Sequence, residues 1–196
     1  MKTIKINKRF TDHFINALLI FASVFLAFWL NEVRIEKKEK ELAINAKFEI
    51  LAEWKINLSI LERSKAYHAL ILNNKSNFFV NNLETISHFD LNLIPGFEDR
   101  IQKETTTNNS KGLVVDQQIN FDVKTKLTIN QINEQHLKLT MATNALDFDF
   151  LNQRELFDKS KVKENYLMFY SLLEEIVTQE SIMIERLKVV INDLNK

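Results

Sequence analysis

Apolar positions fall on this chain in two rhythms. From Phe14 to Leu30 they are nearly continuous, in "FINALLIFASVFLAFWL"; beyond residue 42 they recur every three or four residues. Between the two lies "NEVRIEKKEKE", residues 31–41, with no Gly or Pro to break a helix. The continuous run has no formal charge from His13 to Asn31. Nineteen residues at about 1.5 Å each reach roughly 28 Å, the hydrocarbon thickness of a bilayer. A helix satisfies its own backbone there, as lipid requires.

Three readings of that run compete. A buried soluble helix would be apolar on every side, and the stripe-like remainder of the chain is poorly suited to wrap it. A cleaved signal peptide fits the basic start but has an apolar stretch of only ~7–15 residues and a small-residue cleavage site. Here Ala27 is followed by Phe28 and Trp29. The run therefore reads as an uncleaved signal anchor: residues 1–13 a basic cytoplasmic tail, 14–31 the transmembrane helix, 32–41 a charged helical stalk, and 42–196 a helical extracytoplasmic domain. Trp29, Arg34 and Lys37 are its expected interfacial anchors, the two cations snorkelling past the ring. Lys and Arg number four on each side of the span, so the positive-inside rule nearly ties. A short basic tail stays inside while long domains cross regardless of charge, which favours a cytoplasmic N-terminus and a periplasmic domain at a bacterial inner membrane. Asn16, Ser23 and Ala27 share one face of the span. They read either as a contact face for another span or as tolerated small residues.

After the span, Ile44, Leu51, Trp54, Leu58, Leu61, Leu72, Phe79, Leu83 and Ile86 form a stripe at helical spacing, interrupted by Lys47, Lys65 and His68. The polar "NNKSN", residues 73–77, is an expected break, and Pro95-Gly96 an expected turn. In "FEDRIQKETTTNNSKG" a short helix capped by Gly112 is expected. A further helix is expected between residues 116 and 150, with Val123, Leu127, Leu137, Met141 and Phe148 on one face and a strand locally possible around "KLTINQI". The last segment repeats Tyr166, Tyr170, Leu173, Val177, Ile184, Leu187, Ile191 and Leu194 at spacings near 3.5, with Glu180 filling the one apolar gap. Such stripes need one another. The expected fold is all-α: the transmembrane helix continuing into an elongated antiparallel helical bundle, with coiled-coil-like seams.

Composition narrows the chemistry. Two Gly and one Pro are too few for a many-stranded sheet, and no glycine-rich phosphate loop or nucleophile elbow is present. The absence of Cys removes thiolate metal sites and thiol nucleophiles. Charge is balanced at 26 basic against 26 acidic residues, with no concentrated basic face of the kind nucleic acid selects. His88 and Asp90 are the nearest approach to a metal site, against a solvated helix end. Glu134 and His136 fall on different faces and read as surface; Asp147 and Asp149, flanking Phe148, read as a helix end. Trp54, Phe78 and Phe79 read as core, with a ligand pocket between helices as the sharper alternative. No catalytic, cofactor or metal residues are assigned.

In layout the chain resembles a Bacteroidota family of short, single-span, uncharacterised membrane proteins. In that family an N-terminal span runs into a Trp-Asn-Glu-x-Arg-Lys type segment, followed by a Leu-rich amphipathic helix, a Ser-x-Gly step and two further helices. "FWLNEVRIEKK" resembles the first part, "FEILAEWKINLSILE" the second and "TTNNSKG" the step; Leu30 stands here between Trp29 and Asn31. The resemblance implies location and fold and carries no activity. The expected function is a non-catalytic, membrane-anchored helical protein that works by interaction, through lipid and a protein partner or a second copy. The alternative is an extracytoplasmic sensory or ligand-binding module relaying through a membrane partner. A hydrolase using His88 or Asp90 ranks below both.

Overall fold

The computed structural model describes residues 8–82, 86–98, 100–101, 104–115, 119 and 121–194. Helix α1 runs from Lys8 to Asn73 without interruption, about 100 Å at 1.5 Å per residue. It contains the apolar run, the stalk and one wall of the bundle. Residues 13–41 are exposed throughout; Leu42 and Ala43 begin to be covered, and Ala46 is the first buried apolar residue. The stalk is thus a bare helix, with Glu36 and Lys40 paired one turn apart at 3.6 Å. The expected break falls at Asn74, whose amide donates back to the Leu70 carbonyl, and α2 (Lys75–Asn82) follows at once. Leu83 lies outside the described residues.

The other long helices are α4 (Val123–Asn144) and α5 (Val162–Leu194). Two cross-links order α1 against α5, His68 with Glu180 at 3.0 Å and Glu62 with Lys188 at 2.7 Å, and Lys75 at the start of α2 continues the series with Glu174 at 2.8 Å. One number rises as the other falls, so the pair is antiparallel. Helix α4 runs antiparallel to α5 in turn: Gln135 Nε2 donates to Gln179 Oε1 at 2.8 Å, and Arg186 donates to the Gln131 carbonyl at 3.3 Å. The α5 seam is buried as its spacing predicts, from Tyr166 and Tyr170 through Leu173, Ile184 and Leu187 to Ile191. Among the described residues there is no strand.

Between α2 and α4 the chain returns along α1. Pro95 and Gly96 make the expected turn: Phe97 N–H donates to the Ile94 carbonyl, and Gly96 has φ 86°, which only glycine adopts without strain. Side chains of α1 then hold the returning backbone. Asn57, buried, donates to the Thr107 carbonyl at 2.8 Å and accepts from Thr107 N–H at 3.0 Å. Glu53 accepts from the N–H groups of Asn109 and Ser110, at the start of α3 (Ser110–Val115). Gly112 therefore sits inside a short helix and does not stop one. Residues 104–109 form neither helix nor strand, and α1 supplies partners for the backbone of Thr107 and Asn109.

The face of α4 is also a correction. Val123, Leu127, Leu137, Met141 and Phe148 do share a side, but all five are exposed; the buried side is Thr125, Ile129, Ile132, Gln135, Leu139 and Thr143. Ile44 on α1 is exposed too. The end of the bundle away from the span is closed by an aromatic cluster. Phe78 meets Tyr166 at 4.6 Å and Phe89 meets Tyr166 at 4.7 Å and Phe150 at 5.5 Å. A π-helical turn, Ala145–Phe150, carries Leu146 and Phe150 into that core. Each fully buried ring or aliphatic side chain contributes about 1.5–3 kcal/mol. Trp54 and Phe78 are therefore core, and Phe79 packs half-buried against it.

Candidate functional site

One helix, α1, is long and apolar enough to cross a membrane, close to the N-terminus. Its most apolar 18-residue window has a mean hydropathy of 2.0, and none of that window is buried. A soluble core helix would be covered; here none of the described residues covers it. Asn16, Ser23 and Ala27 are all exposed on α1. The Ser23 hydroxyl donates to the Leu19 carbonyl at 2.8 Å, so its polarity is absorbed by its own helix. The Asn16 amide has no partner among the described residues. Trp29 is exposed at the end of the run, with Arg34 and Lys37 one and two turns beyond.

The bundle shows two exposed apolar surfaces. One is the α4 face just described. The other is the outer side of α1, with Phe48 67%, Ile56 60% and Leu70 51% exposed.

A cavity of about 240 Å³, lined by both polar and apolar side chains, opens between α1, α4, α5 and the returning segment. His68 and Glu180 form its inner wall, both buried. The Nδ1 of His68 lies 3.0 and 3.1 Å from the two Glu180 oxygens, and its Nε2 lies 2.9 Å from the Ile101 carbonyl. The Ile101 carbonyl accepts from Nε2, and with Glu180 as a carboxylate Nδ1 donates as well, an arrangement that suits His68 as a cation. Burial alone would lower its pKa, but the hydrogen bond and charge of Glu180, with smaller help from the Ile101 carbonyl and Asp147, raise it overall. Asp147, half-buried, is pushed up by burial against the opposing charge of His68. His136 stands on the outer side, its Nε2 2.9 Å from Thr106 Oγ1. Burial lowers its pKa despite the Thr106 hydrogen bond and the charge of Glu53.

This arrangement is a staple. With both nitrogens donating, His68 has no lone pair for a metal or a substrate proton, and Glu180 is held by the same bond. Among the described residues no group of three or more His, Asp or Glu converges on a metal position. His88 is exposed, 3.2 Å from Ser87 Oγ, while the Asp90 carboxylate caps a 3₁₀ turn by accepting from Asn92 N–H at 2.9 Å. The two are not brought together. Glu134 is exposed, as expected, but His136 is half-buried at the cavity, so the surface reading holds for one of the pair only. Asp149 is exposed and Asp147 is not. The signals for the cavity were present in the sequence as two defects: His68 interrupting one stripe and Glu180 filling the gap in another.

No model of a known protein family, no curated protein and no solved structure matches the chain.

Proposed function

We propose that this is a non-catalytic, single-pass membrane protein that holds or organises partner proteins at the membrane surface. Residues 14–31 lie in lipid, and the short basic tail supports a cytoplasmic N-terminus with the bundle in the periplasm of a bacterium. The observation that carries the reading is α1 itself. One unbroken helix joins an uncovered apolar segment to a bundle whose outer α1 face is also apolar and uncovered. An exposed apolar face on a bundle helix that continues an uncovered apolar segment supports an interaction surface.

The test is the size of the full chain extracted from native membranes in mild detergent. The wild-type chain is expected in an assembly well above one 23.1 kDa chain plus micelle, and the Phe48→Asp/Ile56→Asp variant in a smaller one. A wild-type chain that runs as a lone protomer contradicts the reading.

The cavity favours a second reading, a sensory module. Its hydroxyl-lined mouth, with Ser64, Thr106 and Thr140, has room for a small polar molecule. A saturable, small-molecule-specific rise in melting temperature that is abolished by Thr140→Val and His136→Phe supports that reading.

A further inference from the structure

We infer that the outer face of α1 pairs with the same face of a second copy of this chain, as two parallel helices running from the membrane to the top of the bundle. This rests on the interaction reading above and names its partner.

The argument starts from helical geometry. An α-helix repeats its direction every 36 residues, about ten turns of 3.6. In α1, which is unbroken over that distance, Asn16 therefore points the same way as Ala52, Ile20 as Ile56, and Ser23 as Ser59. Leu30 maps in the same way onto Ala66, and Arg34 onto Leu70. The small-residue face of the span and the strip Phe48, Ala52, Ile56, Ser59, Ala66 and Leu70 are thus one surface. All six residues of the strip are exposed. The same surface carries charge: Arg34, Lys38 and Glu41, five turns or about 18 residues before Ala52, Ile56 and Ser59, point the same way as those residues, and Arg63, between Ser59 and Ala66, is held by Glu104 at 2.9 Å and by Ser59 Oγ at 2.7 Å.

That surface points away from the rest of the chain. The buried side of α1 is Ala46, Ile50, Trp54, Asn57, Leu61, His68 and Ile71. At about 100° per residue its centre lies roughly 150° from Asn16, Ser23 and Ala27. At its upper end the returning segment flanks this face, Glu104 holding Arg63 and Gly96 lying beside Leu70, while Phe48, Ala52 and Ile56 below are exposed. A partner must present a matching helix at the same depth in lipid and the same height above it. A second copy does so by symmetry, because both chains insert in the same direction and a two-fold axis along the membrane normal relates them.

Charge complementarity agrees. On one side of the strip lie Lys38 and Glu49; towards the other lie Glu41 and Lys55. None of the four has an ion-pair partner among the described residues. In a parallel two-fold pair one side meets the opposite side of the partner, so Glu49 faces Lys55 of the second copy and Lys38 faces its Glu41. The offsets are within the reach of these side chains. Arg34 and Lys37 stay at headgroup height, where lipid phosphates offset their repulsion.

Cysteine cross-linking in native membranes tests this, since the chain contains no Cys of its own. Two differently tagged copies of the full chain are co-expressed with Ala52→Cys, Ser59→Cys or, as a control on α4, Asn130→Cys. Mild oxidation is expected to give disulfide dimers bearing both tags at Ala52 and Ser59 and none at Asn130. Adding Phe48→Asp and Ile56→Asp, both on exposed side chains, is expected to cut the yield about tenfold or more, the effect of 1.4 kcal/mol on association. Dimers at Asn130 alone overturn the inference in favour of α4. A thiol-directed photo-crosslinker at Ala52 that captures only a protein of another mass overturns the second copy and leaves the interaction reading standing. No adduct from either reagent overturns both.

Discussion

His68 and Glu180, 112 residues apart in sequence, meet inside the bundle with Nδ1 3.0 Å from Oε1, and each side chain is only 3% exposed. The contact ties α1, the helix that carries the apolar run, to α5. Removing one member strands the other as a buried, unpaired charge or donor.

His68→Leu is therefore expected to cost about 3–5 kcal/mol of unfolding free energy, and Glu180→Leu a similar amount. The double variant His68→Leu/Glu180→Leu should recover most of the loss, because apolar side chains of similar volume replace a buried ion pair at little cost. Urea unfolding of the full chain in micelles, followed by helix circular dichroism, measures all three. Additive losses in the double variant would mean that the two residues act independently.

The pH dependence follows from the same pair. The folded pKa of His68 is raised above its unfolded 6.5, so its contribution is fully present below pH 6.5 and is lost as pH rises through the folded value. The melting-temperature gap between wild type and His68→Gln should narrow over that window. His136 has the opposite sign. Its folded pKa lies below 6.5, so its contribution is present above pH 6.5 and lost as pH falls through the folded value. His136→Gln should be relatively more stable than wild type on the acid side.

Two tyrosines one turn apart should respond in opposite ways. The Tyr166 hydroxyl accepts from Asp90 N–H and donates to the Asp90 carbonyl, both at 3.0 Å. Tyr166→Phe leaves those groups unpaired and is expected to cost about 1–3 kcal/mol. The Tyr170 hydroxyl is buried without a partner among the described residues, so Tyr170→Phe should be neutral or stabilising by roughly 1 kcal/mol. Burial, aided by Tyr166, pushes the Tyr170 pKa up to about 12, so its phenolate absorbance should appear only near that pH while the fold holds.

Asn57 holds the returning segment by two hydrogen bonds. Asn57→Leu should accelerate amide hydrogen exchange at Thr107, whose N–H it now binds, and also at Asn109 and Ser110, while leaving α5 protected. Unchanged exchange at Thr107 would assign the ordering of this segment to something other than Asn57.

Much of the fold was legible because its signals are local. The 3.5-residue seam from Tyr166 to Ile191, the break in "NNKSN" and the Pro95-Gly96 turn each follow from a few neighbouring residues. The outcome for α4 was not local. That helix carries two faces of comparable apolarity, and the choice between Ile129, Ile132 and Leu139 on one side and Leu127, Leu137 and Met141 on the other was made by what α5 presents. Gln135 on the chosen side finds Gln179. The path of residues 104–109 depends on Glu53 and Asn57, some fifty positions upstream, and no turn or capping signal near Gly112 reveals it. The staple was visible only as an oddity in each of two stripes, because pairing His68 with Glu180 requires knowing that α1 and α5 lie side by side.

The central claim, that residues 14–30 lie permanently in lipid with the bundle outside it, is tested most directly by thiol accessibility along α1. Phe21→Cys, Lys38→Cys and Ser171→Cys would each be treated with a membrane-impermeant maleimide on intact spheroplasts of carbonate-washed-competent cells. Lys38→Cys and Ser171→Cys should label at once, and Phe21→Cys only after detergent. Labelling of Phe21→Cys without detergent, or release of the chain from membranes by carbonate, would contradict the account.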